Sequence, residues 1–117
     1  MALVTETLYI EAGATYPTAD GPVQFFITNN DGTVFDLTGY TAAGQIRKTA
    51  SAASAIVTFT PTIDTVLGSV SFTIPASSTS LLVDPPYVWA IELTKASNGT
   101  VIRLAEGHVA VSPEVVR

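Results

Sequence analysis

The chain has no cysteine among its 117 residues, so no disulfide framework staples it, no thiolate can act as nucleophile or metal ligand, and the redox compartment is unmarked. It is poor in charge. Asp, Glu, Lys and Arg make up 13%, about half of the roughly 25% usual in soluble domains. Only five of those residues are basic against ten acidic, giving a formal net charge of −5. Arg47-Lys48 is the one adjacent basic pair. Nucleic-acid binding needs clustered cations to neutralise phosphates, and an anionic membrane surface asks for the same, so both are set aside. No stretch approaches the ~20 apolar residues of a membrane-spanning helix. MALVTETLYI lacks a basic n-region and Glu6 interrupts its apolar run, so no signal peptide is expected. No phosphate-binding loop, Ser-His-Asp array, metal-ligand cluster or internal repeat is present. No cofactor, metal or small-molecule substrate is expected.

What remains is apolar and built for strands. Hydrophobic residues make up 47%, and mean hydropathy is +0.40. A chain this apolar and this short of charge is expected to hide surface against something else, as an obligate oligomer or a subunit of a larger assembly. The competing reading is a monomer whose β surface is solvated by Ser and Thr hydroxyls.

The stretch from Tyr87 to Val111 organises the rest. Tyr87, Trp89, Ile91 and Leu93 alternate with Val88, Ala90, Glu92 and Thr94, the period of a half-buried strand. Asn98-Gly99 within Ser97–Thr100 predicts a type I′ turn. Val101, Ile102 and Leu104 then lead back towards Val109 and Val111. Ile102 and Leu104 share one parity and Val109 and Val111 the other, so one extra residue is expected, at a bulge made by Gly107. Trp89, the one tryptophan, is the expected centre of the core.

Upstream, Thr7 to Glu11 predicts a short strand and Val23 to Thr28 another. Phe26 breaks the alternation there and hints that both faces are covered. Asn29–Gly32 predicts a turn; it resembles a fragment of a calcium loop, but the match fails after Gly32. Strands are expected at Val34–Leu37, Tyr40–Lys48, Ile56–Thr60 and Ser69–Ile74, with Ile63–Thr65 as an edge or turn. Thr49–Ala55 reads as an exposed loop, beside which Arg47 and Lys48 would solvate a strand end. Ala76–Val83 is the one helical turn, with Ser77 or Ser78 as its cap. The expected core includes Phe25, Ile27, Ile46, Phe59, Phe72, Trp89 and Ile91. The pattern predicts one all-β domain over residues 1–117 with short extended termini, an immunoglobulin-like antiparallel sandwich of about seven to nine strands, its strand order open.

One histidine, His108, sits two residues from Glu106 on the same strand face. Catalysis would need an orienting carboxylate and a nucleophile around it; a rim histidine is the simpler reading, and no enzyme is expected. Arg103 is expected to face solvent or a cross-strand Glu92.

Three strings carry a resemblance. They are Leu8-Tyr9-Ile10-Glu11-Ala12-Gly13-Ala14-Thr15-Tyr16, then Phe35-Asp36-Leu37-Thr38-Gly39-Tyr40 running to Gln45-Ile46-Arg47-Lys48, then Tyr87-Val88-Trp89-Ala90-Ile91-Glu92-Leu93 followed by Asn98-Gly99-Thr100 and Leu104-Ala105-Glu106-Gly107. With the closing Glu-Gly-x-Val-x-Val-x-Pro they span nearly the whole chain. This order resembles the immunoglobulin-like N-terminal module of tailed-phage baseplate upper proteins and tail-fibre adaptors. Such proteins often continue into a coiled coil or fibre, whereas this sequence ends at Arg117, so a stand-alone assembly subunit is expected. The resemblance implies a structural protein of the virion, assembled in the host cytoplasm and partnered by other virion subunits and by copies of itself. It transfers no catalytic residue. Candidate contact residues, chosen by position, are Leu3, Val4 and Thr5, then Ser51, Ala52 and Ala53 in the loop, then Glu114, Val115 and Val116. Two alternatives remain: a capsid decoration protein, and a carbohydrate-binding module using Tyr9, Phe26 and Tyr40.

Overall fold

The computed structural model describes residues 4–17, 22–83 and 85–113. The described residues form nine strands and one short helix. In chain order the strands are β1 (Val4–Thr5), β2 (Leu8–Glu11), β3 (Val23–Phe26), β4 (Tyr40–Arg47), β5 (Val57–Phe59), β6 (Thr62–Asp64) and β7 (Ser69–Phe72). The helix α1 (Ala76–Thr79) then precedes β8 (Tyr87–Lys95) and β9 (Val101–Ser112). The larger sheet runs β1-β9-β8-β4-β5, with β2 also on β9, and the smaller runs β3-β7-β6. The chain changes sheet between β2 and β3, between β3 and β4, between β5 and β6, and through α1 between β7 and β8. This is the immunoglobulin-like order, with three hairpin-linked pairs split between two sheets.

The larger sheet is antiparallel except at its edge. There β1 and β2 both run parallel to β9 in one register, Val4 opposite Ala105 and Leu8 opposite Val109. They are one strand interrupted at Glu6-Thr7, and the interruption has a chemical cause. The indole N–H of Trp89 donates to the Glu6 carbonyl at 2.9 Å, drawing it inward. The approach is possible because residue 107 is glycine: a Cβ there would overlap that carbonyl.

The core lies between the sheets, each strand contributing alternate residues. Phe25, Ile46, Phe59, Phe72, Trp89 and Ile91 are all buried, as expected. Ile27 is not; it lies just past the end of β3 and only packs against the core's margin. The centre is Phe72 rather than Trp89. Its ring meets those of Tyr16, Phe25, Phe59 and Trp89, the nearest centroid being Phe59 at 4.9 Å. Phe26 is 61% exposed, so the outer face of the smaller sheet is uncovered there and the expectation of two covered faces fails.

Four local expectations are corrected. Val34–Leu37 is not a strand: Val34 makes a single bridge to Thr28, and the Asp36 carboxylate then accepts the Thr38 N–H at 3.0 Å, turning the chain. The β8–β9 connection is not a two-residue turn. It is a four-residue loop over 96–99, in which Lys95 N–H donates to Thr100 O and Gly99 N–H to Lys95 O, both at 2.8 Å, with Gly99 at φ 72°. The extra residue on β9 exists but sits three positions early. The register slips between Ile91 and Glu92, so Leu104 and Ala105 are both buried, while Gly107 pairs regularly with Trp89. Finally, α1 starts after Pro75 with no side-chain cap, Ser77 and Ser78 lying inside it. Its buried Thr79 hydroxyl donates to Ala14 O at 2.8 Å and accepts the Gly13 N–H at 3.1 Å, pinning the segment after β2.

Candidate binding face

Alternation leaves the outer face of the larger sheet with a distinctive set of side chains. Small residues point outward at its centre, Ala43 on β4 and Ala90 on β8, and beside them Gly107 on β9, an inward position opposite Trp89, presents only bare backbone. Together they floor an open concavity of ≈ 900 Å³. The loop after β4 walls one side with Ala52 and Ala53, and Thr5 of β1 borders the other. Two of the sequence's candidate contact regions therefore meet on one surface, although they are about 47 residues apart in the chain.

The loop wall is held by Arg47. Its guanidinium donates to Ala52 O at 2.6 Å and, through Nε and Nη2, to the Gln45 Oε1 at 3.0 and 2.8 Å. Arg47 is thus a staple, not a side chain solvating a strand end. On the other side, Arg103 bridges Glu92 at 3.5 Å and Glu106 at 3.6 Å, as the cross-strand register of β8 and β9 dictates. These groups are half-exposed, so the pairs fix side-chain positions more than they stabilise the fold.

The remaining candidates separate. Val4 turns inward against the core. Ser51 is exposed on the loop but outside the concavity. Leu3, Glu114, Val115 and Val116 lie outside the described residues. His108 is exposed on the rim, and the carboxylate beside it, Glu106, is engaged by Arg103. No cluster of three or more His, Asp or Glu able to hold a metal occurs among the described residues. In the 29–33 turn, the Asp31 carboxylate accepts both the Thr33 hydroxyl, at 2.6 Å, and its N–H, at 3.0 Å, which holds its pKa below the usual value. That carboxylate serves the turn.

The three aromatics weighed for sugar binding do not share a platform. Tyr9 projects from β2 in the larger sheet and Phe26 from β3 in the smaller, while Tyr40 packs its ring on Phe35 with centroids 5.9 Å apart. The smaller sheet and its β6–β7 turn also expose large apolar residues, Phe26, Val66 and Leu67. Asp64 accepts the N–H groups of Val66 and Leu67, whose side chains are exposed, while Phe26 stands opposite Ser69 on β7.

Sequence reasoning missed most of the concave face. The signal was there in the outward positions of β4 and β8, where Ala43 and Ala90 interrupt otherwise larger residues. Knowing that they lie side by side required the register Gln45 opposite Ala90 and Ala43 opposite Glu92. No protein-family model and no curated protein matches this chain. Among the described residues, no helix is long and apolar enough to cross a membrane.

Proposed function

We propose that this immunoglobulin-like domain is a non-enzymatic structural component of a tailed-bacteriophage virion, docking in the tail, baseplate or fibre-attachment region through protein–protein contacts. The observation that carries the binding role is the concave outer face of the larger sheet. Its floor of Ala43, Ala90 and Gly107 leaves room for a protruding loop of a neighbour, and its walls come from two separate parts of the chain. The rim charges of Arg103, Glu92 and Glu106 would orient such a neighbour and discriminate against wrong ones rather than supply most of the affinity. A chain with only 13% charged residues suits a protein whose surface is covered after assembly. The virion assignment rests on the baseplate-module resemblance of the three sequence strings. Other virion subunits, and further copies of this chain, are the partners this reading requires, and the virion, assembled in the host cytoplasm, is its location.

The test has two arms. Antibody-gold labelling of purified particles at the tail tip supports docking in the tail. Label scattered over the head makes this a decoration protein instead. Particles in which neither label nor any peptide of this chain is found by mass spectrometry overturn both. In the second arm, Ala90→Arg fills the concavity from a half-exposed position. The variant is expected to fold with an unchanged circular dichroism spectrum yet fail to enter particles; normal incorporation would remove this face from the docking role.

A further inference from the structure

The tip of the β8–β9 hairpin holds the one Asn-Gly pair of the sequence, Asn98-Gly99. We infer that Asn98 is a site of spontaneous covalent modification, passing through a succinimide to aspartate and isoaspartate, and that of the two comparable turns only this one carries the chemistry.

In the reaction, the Gly99 main-chain nitrogen gives its proton to solvent base and attacks Cγ of Asn98. A nitrogen–carbon bond forms, the side-chain carbon–nitrogen bond breaks, and the amide leaves as ammonia. Water then opens the five-membered ring at either carbonyl. The sum is water taken up and ammonia lost, with no oxidation or reduction.

Three features of the tip favour it. First, Gly99 has no side chain, and the space a Cβ would take is open, with no atom within 4 Å. The attacking nitrogen is therefore unshielded on that side. Second, the Thr100 N–H donates to Asn98 Oδ1 at 3.0 Å. This bond folds the side chain back over the following peptide and draws electron density from Cγ, the atom under attack. Third, residues 96–101 are all exposed. One bond opposes the attack, the donation from Gly99 N–H to Lys95 O at 2.8 Å. It closes the loop at the far end of the hairpin, where local opening costs least.

Asp31-Gly32 has the same spacing and the same exposure, yet its carbonyl carbon is a poor electrophile. At the alkaline pH of the reaction that carboxylate is ionised, as any exposed aspartate is, and its Oδ1 is taken by two donations from Thr33. An ionised carboxylate has no good leaving group and repels an incoming amide anion. The products at residue 98 differ in consequence. Aspartate adds one negative charge to a chain already at −5. Isoaspartate routes the main chain through an additional carbon, so Lys95 can no longer pair with Gly99 and Thr100 together, and the end of the hairpin loosens.

The experiment incubates the purified, folded chain at mildly alkaline pH and follows intact mass, then maps peptides and labels isoaspartate with an isoaspartyl methyltransferase. The expected result is a gain of one mass unit localised to residue 98, isoaspartate labelling there, no labelling at Asp31, and loss of both signals in Asn98→Ser. The inference is overturned if folded protein keeps Asn98 intact over a period in which a synthetic peptide of residues 95–101 converts fully. Isoaspartate at Asp31 in the folded chain would overturn the claimed restriction.

Discussion

The two sheets share one core but differ in what their outer faces show to solvent. The larger sheet turns Trp89, Ile91, Leu93 and Ile46 inward and, apart from the exposed Tyr9 on its edge strand, shows solvent a face of alanine, threonine and paired charges. The smaller sheet supplies Phe25, Val70 and Phe72 to the same core, yet also leaves Phe26, Val66 and Leu67 outside. A large apolar residue is thus no guide to burial by itself; what decides is which way its strand position points and what covers that side. The contrast extends to the edges. The larger sheet is completed by a parallel strand whose carbonyl is taken into the core by Trp89, whereas among the described residues the smaller sheet ends at β3 and β6.

The largest expected effects probe this contrast directly. Trp89→Ala should cost about 3–5 kcal/mol, the range for deleting a large buried aromatic. Phe26→Ala should change stability by no more than about 0.5 kcal/mol, being a surface change. Urea midpoints at unchanged m-value give both, and comparable losses at the two positions would end the distinction between the sheets. Next in size is the seam at the edge. Gly107→Ala forces its Cβ onto the Glu6 carbonyl and should cost about 1–3 kcal/mol, the usual toll of overpacking. Trp89→Phe leaves that carbonyl without its donor and should cost about as much, roughly 1–3 kcal/mol. Because both changes act on one contact, the double variant should lose less than the sum. Strict additivity would mean that Gly107 and the indole N–H stabilise the edge independently.

Smaller again is the outer face. Arg103→Ala, removing two half-exposed ion pairs, should cost at most about 1 kcal/mol, and added salt should shrink the loss further. The smallest effect is a pH dependence from the loops. The carboxyls of Asp31 and Asp36 are held below the ordinary aspartate value, Asp31 by Thr33 and Asp36 by Thr38. A depressed folded pKa means the unfolded chain binds protons first as pH falls. Their contribution is therefore complete above the ordinary value of 3.8 and is lost as pH drops through the lower folded values. Replacing both with asparagine should flatten the acid side of the stability profile in urea titrations; an unchanged profile would show that other carboxylates set it.

Much of the strand content was legible because period-two alternation is a local property. Tyr87 to Leu93 shows it without interruption, and six of the seven expected core residues are buried. Ile27 escapes because a strand's end is set by partners, here Gly68, whose carbonyl takes its N–H. The extra residue on β9 was legible as a parity change, but its position was not. Pairing across to Ile91 and Glu92 decides where Leu104 is squeezed out of register. The concave face was barely legible, for Thr5, Ala43, Ala52 and Ala90 are unremarkable side chains until strand order sets them together.

The sequence by itself determined an all-β chain, rich in alternating strands, without thiol chemistry and short of charge, because composition and local periodicity are written residue by residue. Tertiary structure alone decided the strand order, the parallel edge strand, the Trp89–Glu6 bond that interrupts it, and the meeting of Thr5 with Ala52 and Ala53 around an alanine floor. Each of these joins residues from distant parts of the chain, and the free energy that selects them comes from packing one core between two sheets, which no local pattern encodes.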